Sequence, residues 1–317
     1  MIINYICAFC INKVELHYKE NVLCIEVMLP CDVKCKNLLC QKRPFPHFSE
    51  PANLTAGEWI FGMKTQKMSY IYLEHSPSPR LDSVVDSYWS LRVSEGEEPE
   101  NHRVLPDGCV DLLFDNISRP SGVIVGSMTR AVSVTLQPNA EYFGVRFRPG
   151  GASSFLDISL KEIADTQIKL KDVWRNAHSE VSHVMGSKQV KNQIETVENF
   201  LEKQFSDQAT GSPKVQAAIA LLNSHDGNYP VNMLSKTLDI SRQHLNRIFT
   251  EAVGLNIKMF SRIVRLKAAL KRARRAPVKD WALFALESGY YDQAHFISDF
   301  KDLTGTTPTN FFGRKIR

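Results

Sequence analysis

The spacing of apolar positions changes character along this chain of 317 residues. From 68 to 186 short apolar runs alternate with Gly and Pro: Val104 to Leu105, Cys109 to Phe114, Gly122 to Val125, Val132 to Leu136 and Tyr142 to Phe147. Runs of that length between turn residues predict antiparallel strands in a small barrel or sandwich. Two helical stretches are expected beside them, near Leu81 to Ser90 and Leu160 to Trp174. Residues 189–205 predict one amphipathic helix, with Ile194, Val197, Leu201 and Phe205 at helical spacing. That helix reads equally well as packed on a core or as a dimer or linker element. Ala209-Thr210-Gly211-Ser212-Pro213 has linker composition, and past it the pattern is helical throughout. Residues 1–67 show no clear periodicity.

The helical third contains one arrangement twice. In the first copy, Met233, Leu234 and Leu238 give a short helix its apolar side. Asp239-Ile240 make a turn, and Ser241 is placed to cap the next helix. There Leu245, Ile248 and Phe249 share one face, leaving Arg242, Gln243, Asn246 and Arg247 on the other. A recognition helix needs that division: an apolar side for its neighbour and long polar side chains free for base edges. Gly254 ends it. The second copy uses Trp281, Phe284, Ala285 and Leu286, a turn at Gly289, a cap at Asp292, and Phe296, Ile297 and Phe300. A helix from about Lys258 to Arg275 joins the copies, with Phe260, Ile263, Val264 and Leu270 inward. Arg262, Arg265, Lys267, Lys271, Arg272, Arg274 and Arg275 are expected outward, some near phosphates and some serving solubility.

Charge sharpens this picture. From Pro213 to Arg317 there are 17 Lys+Arg and 8 Asp+Glu, a net of +9, which leaves −4 on the rest of a chain whose total is +5. A basic segment on a mildly acidic body is the electrostatic footprint of nucleic-acid binding. The 43% hydrophobic content is ordinary for a globular protein. No apolar run reaches the roughly 18 residues of a membrane helix, and the opening MIINYICAFCIN lacks the flanks of a signal peptide. The expectation is a cytoplasmic protein with no membrane partner. No phosphate loop, nucleophile elbow or zinc-protease helix is present, so neither an enzyme nor a cofactor is expected.

The tail Gly289-Tyr290-Tyr291-Asp292-Gln293-Ala294-His295-Phe296, Phe300-Lys301 and Gly305-Thr306-Thr307-Pro308 resembles the signature of the AraC/XylS regulators of bacteria. Ser241, Leu245, Arg247, Phe249, Gly254, Phe260, Arg265 and Leu266 resemble the upstream half at the same spacing, so the likeness spans about 214 to 312. It implies a seven-helix domain whose two recognition helices enter successive major grooves of double-stranded promoter or operator DNA, about 34 Å apart. By position it implies that Gln243, Asn246 and Arg247, and in the second copy Gln293, Ala294, Ile297 and Ser298, face bases. Ser241, Arg242, Arg262 and Lys301 are expected at phosphates. Two departures stand out. Ser298 occupies a place where the family commonly has Arg, with Asp299 beside it, so the second motif is expected to contribute position and shape more than base readout. Ile257 stands where many members have Pro.

In the middle, Leu105-Pro106-Asp107-Gly108-Cys109-Val110-Asp111-Leu112-Leu113-Phe114 and Gly144-Val145-Arg146-Phe147-Arg148-Pro149-Gly150-Gly151-Ala152 resemble the N-terminal domain of a poorly characterised subgroup of these regulators. Pro-Asp-Gly reads as a turn into a strand with a buried thiol. A second reading places Asp107, Asp111, Arg146 and Arg148 around a pocket for a small-molecule effector, Arg suiting an anion. Cys7, Cys10, Cys24, Cys31, Cys35 and Cys40 crowd the start. Thiols at such spacing can bind zinc, and the cluster bears a poor resemblance to the Ada-type methyl-transfer repair regulators. The plainer expectation is an extension, over 1–67, from a misassigned start or without fixed structure.

The fold expected is α+β: a mainly-β, sensor-like domain over 68–186, a helix and linker over 187–212, and an all-α double helix-turn-helix domain over 213–317. The function expected is sequence-specific regulation of transcription in response to an effector, with RNA polymerase and a homodimer as further partners. The alternative is a methyl-accepting repair regulator.

Overall fold

The computed structural model describes strands 13–19 and 22–28 and then residues 70–312, apart from 96–98, 118–121, 175–179, 182, 205–211, 276, 277 and 279. Two compact units result, one essentially 6–68 and the other essentially 69–317. The first contains a hairpin of β1 (Lys13–Lys19) and β2 (Val22–Met28), paired Leu16 to Ile25 at its middle. Val14, Leu16 and Tyr18 alternate with polar residues, a period-two strand signal inside a segment expected to lack periodicity. The cysteine positions lie outside the described side chains.

The second unit begins with strands β3 (Tyr70–His75), β4 (Val85–Val93), β5 (Glu100–Val104), β6 (Val110–Asp115), β7 (Val123–Val125), β8 (Val132–Leu136), β9 (Glu141–Phe147) and β10 (Gln167–Lys169). Six of them form one antiparallel sheet in the order β10-β7-β6-β9-β4-β3, and β5 pairs with β8 separately. Four of the five apolar runs coincide with β6 to β9, and the fifth, Val104 to Leu105, meets β5 only at that strand's last residue.

The two helices expected beside the strands do not form. Residues 81–84 make a turn closed by Val84 and Val85 N–H groups on Leu81 O, and β4 follows. The pairing of β4 with β9 shifts register between Val85 and Ser87. A bulge of that kind inserts one residue into the alternation, which puts Val85 and Tyr88 in the same core at a spacing that imitates a helix. At Leu160 to Trp174 a 3-10 turn (Leu160–Ile163) is followed by β10, paired with β7, and one helical turn (Leu170–Val173). Asp165 between them adopts φ +57°, which a helix does not allow.

Helix α1 (Val190–Gln204) buries Val197, Phe200 and Leu201 in the core beneath the sheet. Glu198 accepts the Ser78 N–H at 2.7 Å, and Glu202 meets Arg80 at 3.5 Å. This helix is packed on the core along one face; Phe205 and the linker to Gly211 lie outside the described residues.

Seven helices follow among the described residues: α2 (Pro213–Ser224), α3 (Val231–Thr237), α4 (Arg242–Val253), α5 (Ile257–Arg275), α6 (Trp281–Glu287), α7 (Gln293–Thr304) and α8 (Pro308–Phe312). They share one core, in which Leu245, Phe249, Phe260, Ile263, Phe296 and Phe300 are all but inaccessible. The mainly-β region followed by a seven-helix region is the α+β arrangement expected. Among the described residues no helix is long and apolar enough to cross a membrane.

Candidate nucleic-acid interface

Each motif is built by local chemistry that fixes where its second helix starts. The Ser241 hydroxyl accepts the His244 N–H at 3.2 Å, and the Asp292 carboxylate accepts the His295 N–H at 2.7 Å, so both recognition helices are side-chain capped. Asp280 caps α6 through Ala282 and Leu283 N–H groups. Gly254 ends α4 at φ +84°, and Gly289 makes the second turn at φ +81°. Met233 and Leu286, expected on the inner faces of α3 and α6, stand on the surface, while Leu234, Trp281, Phe284 and Ala285 carry the packing.

On α4, Leu245 and Phe249 are buried, whereas Arg242, Gln243, His244, Asn246 and Arg247 are exposed. Arg247 holds both carboxylate oxygens of Glu251 at 3.0 Å, one turn on, and its other terminal nitrogen lies 3.2 Å from His244 Nδ1. The Asn246 carbonyl accepts the Ile257 N–H at 3.3 Å. That bond exists because Ile257, unlike Pro, has a backbone donor.

On α7, Ala294 and Ser298 are exposed, Gln293 is half-buried, and Ile297 packs partly against the core. Asp299, which would repel phosphate if it faced DNA, points inward. It is buried and bound to Arg262 of α5, which also reaches Asp302 at 3.2 Å. Arg262, expected at phosphate, therefore has two carboxylate partners within the protein. Arg265 lies 5.2 Å over the Tyr290 ring and donates to Gly227 O at 3.2 Å. Lys267 is partly buried, with Asp107 O 3.5 Å away. Lys271, Arg272, Arg274 and Arg275 are exposed toward the end of α5, and Arg272 also donates to Glu287 O. Ser241 and Lys301 are exposed at opposite ends of their motifs.

In the β-rich region the Pro106-Asp107-Gly108 turn closes through Asp107, whose carboxylate accepts the Cys109 N–H at 2.9 Å. The Arg146 guanidinium sits between Asp107 at 3.4 Å, Asp111 at 3.5 Å and Glu74 at 3.6 Å. Trp89 donates its indole N–H to Asp111 at 3.0 Å. Burial drives the Asp111 carboxyl up to about 6 against the pull of Arg146, and burial likewise raises Glu74. Burial pushes the Cys109 thiol well up as well, the state of an inert structural cysteine. Arg148 is elsewhere, with Asp82 at 2.9 Å and Asp86 at 3.2 Å. Three of the four residues expected to gather do so, together with Glu74, Trp89 and Tyr72, which the sequence did not mark. An anion arriving at Arg146 would have to displace a carboxylate. Among the described residues no group of three or more His, Cys, Asp or Glu could hold a metal ion.

Two capped helix-turn-helix motifs joined by α5, over one shared core, define a double helix-turn-helix domain of the DNA-binding class. Residues 234–314 match the family described as a helix-turn-helix domain, and residues 73–169 match one described as a domain of unknown function, DUF6597. An uncharacterized HTH-type transcriptional regulator of Haemophilus influenzae is 30% identical over 95 residues, 30% of this chain and 32% of that protein. The chain thus aligns with about a third of the length of this relative. Over its helix-turn-helix region the chain is similar to HTH-type transcriptional regulators, in line with the AraC/XylS resemblance of its sequence. Among solved structures, the C-terminal domain of the response regulator AraT from Geobacillus stearothermophilus is similar over 34% of this chain and 90% of its own, at 19% identity and TM-score 0.31. ToxT from Vibrio cholerae is similar over 77% of this chain and 97% of its own, at 11% identity and TM-score 0.38.

Proposed function

We propose that this chain is a transcription regulator that binds a specific double-stranded operator through α4 and α7, set in successive major grooves about one helical turn apart. The observation that carries the reading is the division of α4. Leu245 and Phe249 anchor one side, and an exposed row of Arg242, Gln243, Asn246 and Arg247 covers the other. Gln and Asn suit adenine and Arg suits guanine. Ser241, Arg242 and Lys301 serve phosphates, with the exposed cations at the end of α5 adding to the non-specific attraction. Gln293, Ala294, Ile297 and Ser298 read groove shape and methyl groups more than base hydrogen bonds. A small-molecule effector acts through the β-rich region around Asp107, Asp111 and Arg146, and RNA polymerase receives the outcome.

The test is selection of bound fragments from random DNA with the full chain, followed by affinity against salt. The expected result is a motif with one strong and one weak half about a helical turn apart, with binding that falls steeply as salt rises. Salt-sensitive binding without an enriched sequence would overturn it.

A further inference from the structure

One short segment of the β-rich region reaches the far end of both recognition helices. After β7 the chain runs Gly126-Ser127-Met128-Thr129-Arg130-Ala131 into β8. The fully buried Ser127 donates its hydroxyl to Val253 O, in the last turn of α4, at 2.8 Å. Four residues later the Ala131 N–H donates to Leu303 O, in the last turn of α7, also at 2.8 Å. The final carbonyls of a helix have no partner within it, so each helix ends with free acceptors and this segment supplies a donor to each. The approach at α4 requires glycine: a Cβ on Gly254 would stand 2.3 Å from the Ser127 hydroxyl oxygen and 3.0 Å from Leu160 O.

The segment is itself held from behind. Gly126 N–H donates to Thr166 O and Asp165 N–H to Ser127 O, both at 3.0 Å. The Asp165 carboxylate accepts the Thr129 N–H and hydroxyl, each at 2.7 Å. A Cβ on Gly126 would meet Ile163 O at 1.8 Å, so the two backbones touch directly. The contacts lie at the C-terminal ends of α4 and α7, away from the N-terminal turns where Gln243 and Ala294 are exposed. Nothing about them obstructs a groove.

We infer that Ser127–Ala131 is a positioning element which fixes the separation and relative rotation of the two recognition helices, and thereby the half-site spacing the chain accepts. The inference rests on the proposed reading of α4 and α7 as groove-entering helices. Two sites one turn apart lie on one face of the duplex, and a single inserted base pair rotates one away from the other by roughly a tenth of a turn. Helices held only by α5 and their shared core can shift to meet that change; helices whose C-terminal ends are both bonded to one rigid segment do so at a cost in affinity.

The experiment measures equilibrium binding of the full chain to its selected operator and to operators with one base pair added or removed between the half-sites. Ser127→Ala deletes the hydroxyl at α4, and Ala131→Pro deletes the N–H at α7. Thermal melting of each variant separates loss of the strut from loss of the fold. The expected result is a spacing penalty about fivefold smaller in a folded variant, the equivalent of one net hydrogen bond. Affinity for a single half-site and the salt slope should stay as in the unaltered chain. An unchanged spacing penalty, or equal weakening on every DNA, would overturn the inference. Failure to enrich any operator would instead sink the regulator reading on which it rests.

Discussion

The two recognition helices, α4 and α7, have the same length, the same kind of cap and the same glycine stop, yet they present different surfaces. α4 offers hydrogen-bonding groups along its exposed face. α7 offers Ala294 and Ser298, and Asp299 beside them is turned inward to hold Arg262 of α5. Four aromatic rings, Trp281, Phe284, Tyr290 and Phe300, lie within 6 Å of Phe296, against one aromatic neighbour at 5.5 Å for Phe249. A repeated motif thus divides its labour. On the proposed reading one copy offers its side chains to DNA, while the other, with its aromatic cluster and internal ion pair, anchors the connecting helix.

The heaviest blow to this division is Phe296→Ala. Removing a fully buried ring should cost about 3–5 kcal/mol, read as a lower urea midpoint, with DNA binding lost along with it. An effect of the size of a surface substitution would mean that the second motif is not the anchor. Next is Asp299→Ala. A broken buried pair costs about 3–5 kcal/mol, but the Arg262 side chain is 23% exposed and water can take over part of the role. About 2 kcal/mol of stability should go, with base preference unchanged.

Arg247→Ala tests the other half of the comparison. It should cost about 1–3 kcal/mol on the preferred operator and relax specificity at one position. Ser298→Ala should stay within roughly 0.5 kcal/mol. Lys301→Ala should weaken all sequences alike and lower the salt slope by about 1. Equal loss of specificity from Arg247→Ala and Ser298→Ala would erase the asymmetry. A further effect is common to both helices: Ser241→Ala and Asp292→Ala should each remove about 1 kcal/mol of stability. A large inequality in thermal melting between these two would show that the helices differ in local stability as well as in surface.

The double helix-turn-helix was legible because its signals are local. Caps one residue before a helix, glycines one residue after, and apolar spacing of three and four specify both motifs without reference to distant parts of the chain. Four apolar runs of the β-rich region, those of β6 to β9, were legible for the same reason. The Leu81 to Ser90 stretch misled because a bulge in β4 reproduces helical spacing, and the bulge is visible only against β9. The stretch after Leu160 misled because its strand exists through pairing with β7. The charges on α5 were assigned outward from periodicity, yet Arg262, Arg265 and Lys267 lie at the edge of that face, where Asp299, Tyr290 and Asp107 meet them from elsewhere in the chain.

The sequence by itself therefore determined the helix-turn-helix elements, their caps and the polar face of α4, since each depends on neighbours within a few residues. The tertiary structure alone decided which charges remain for a partner. It also decided that Arg146 is shared among Asp107, Asp111 and Glu74, while Arg148, two residues on, belongs to Asp82 and Asp86. A guanidinium's availability depends on carboxylates that arrive from remote strands and helices, and only the folded chain brings those within a few ångströms.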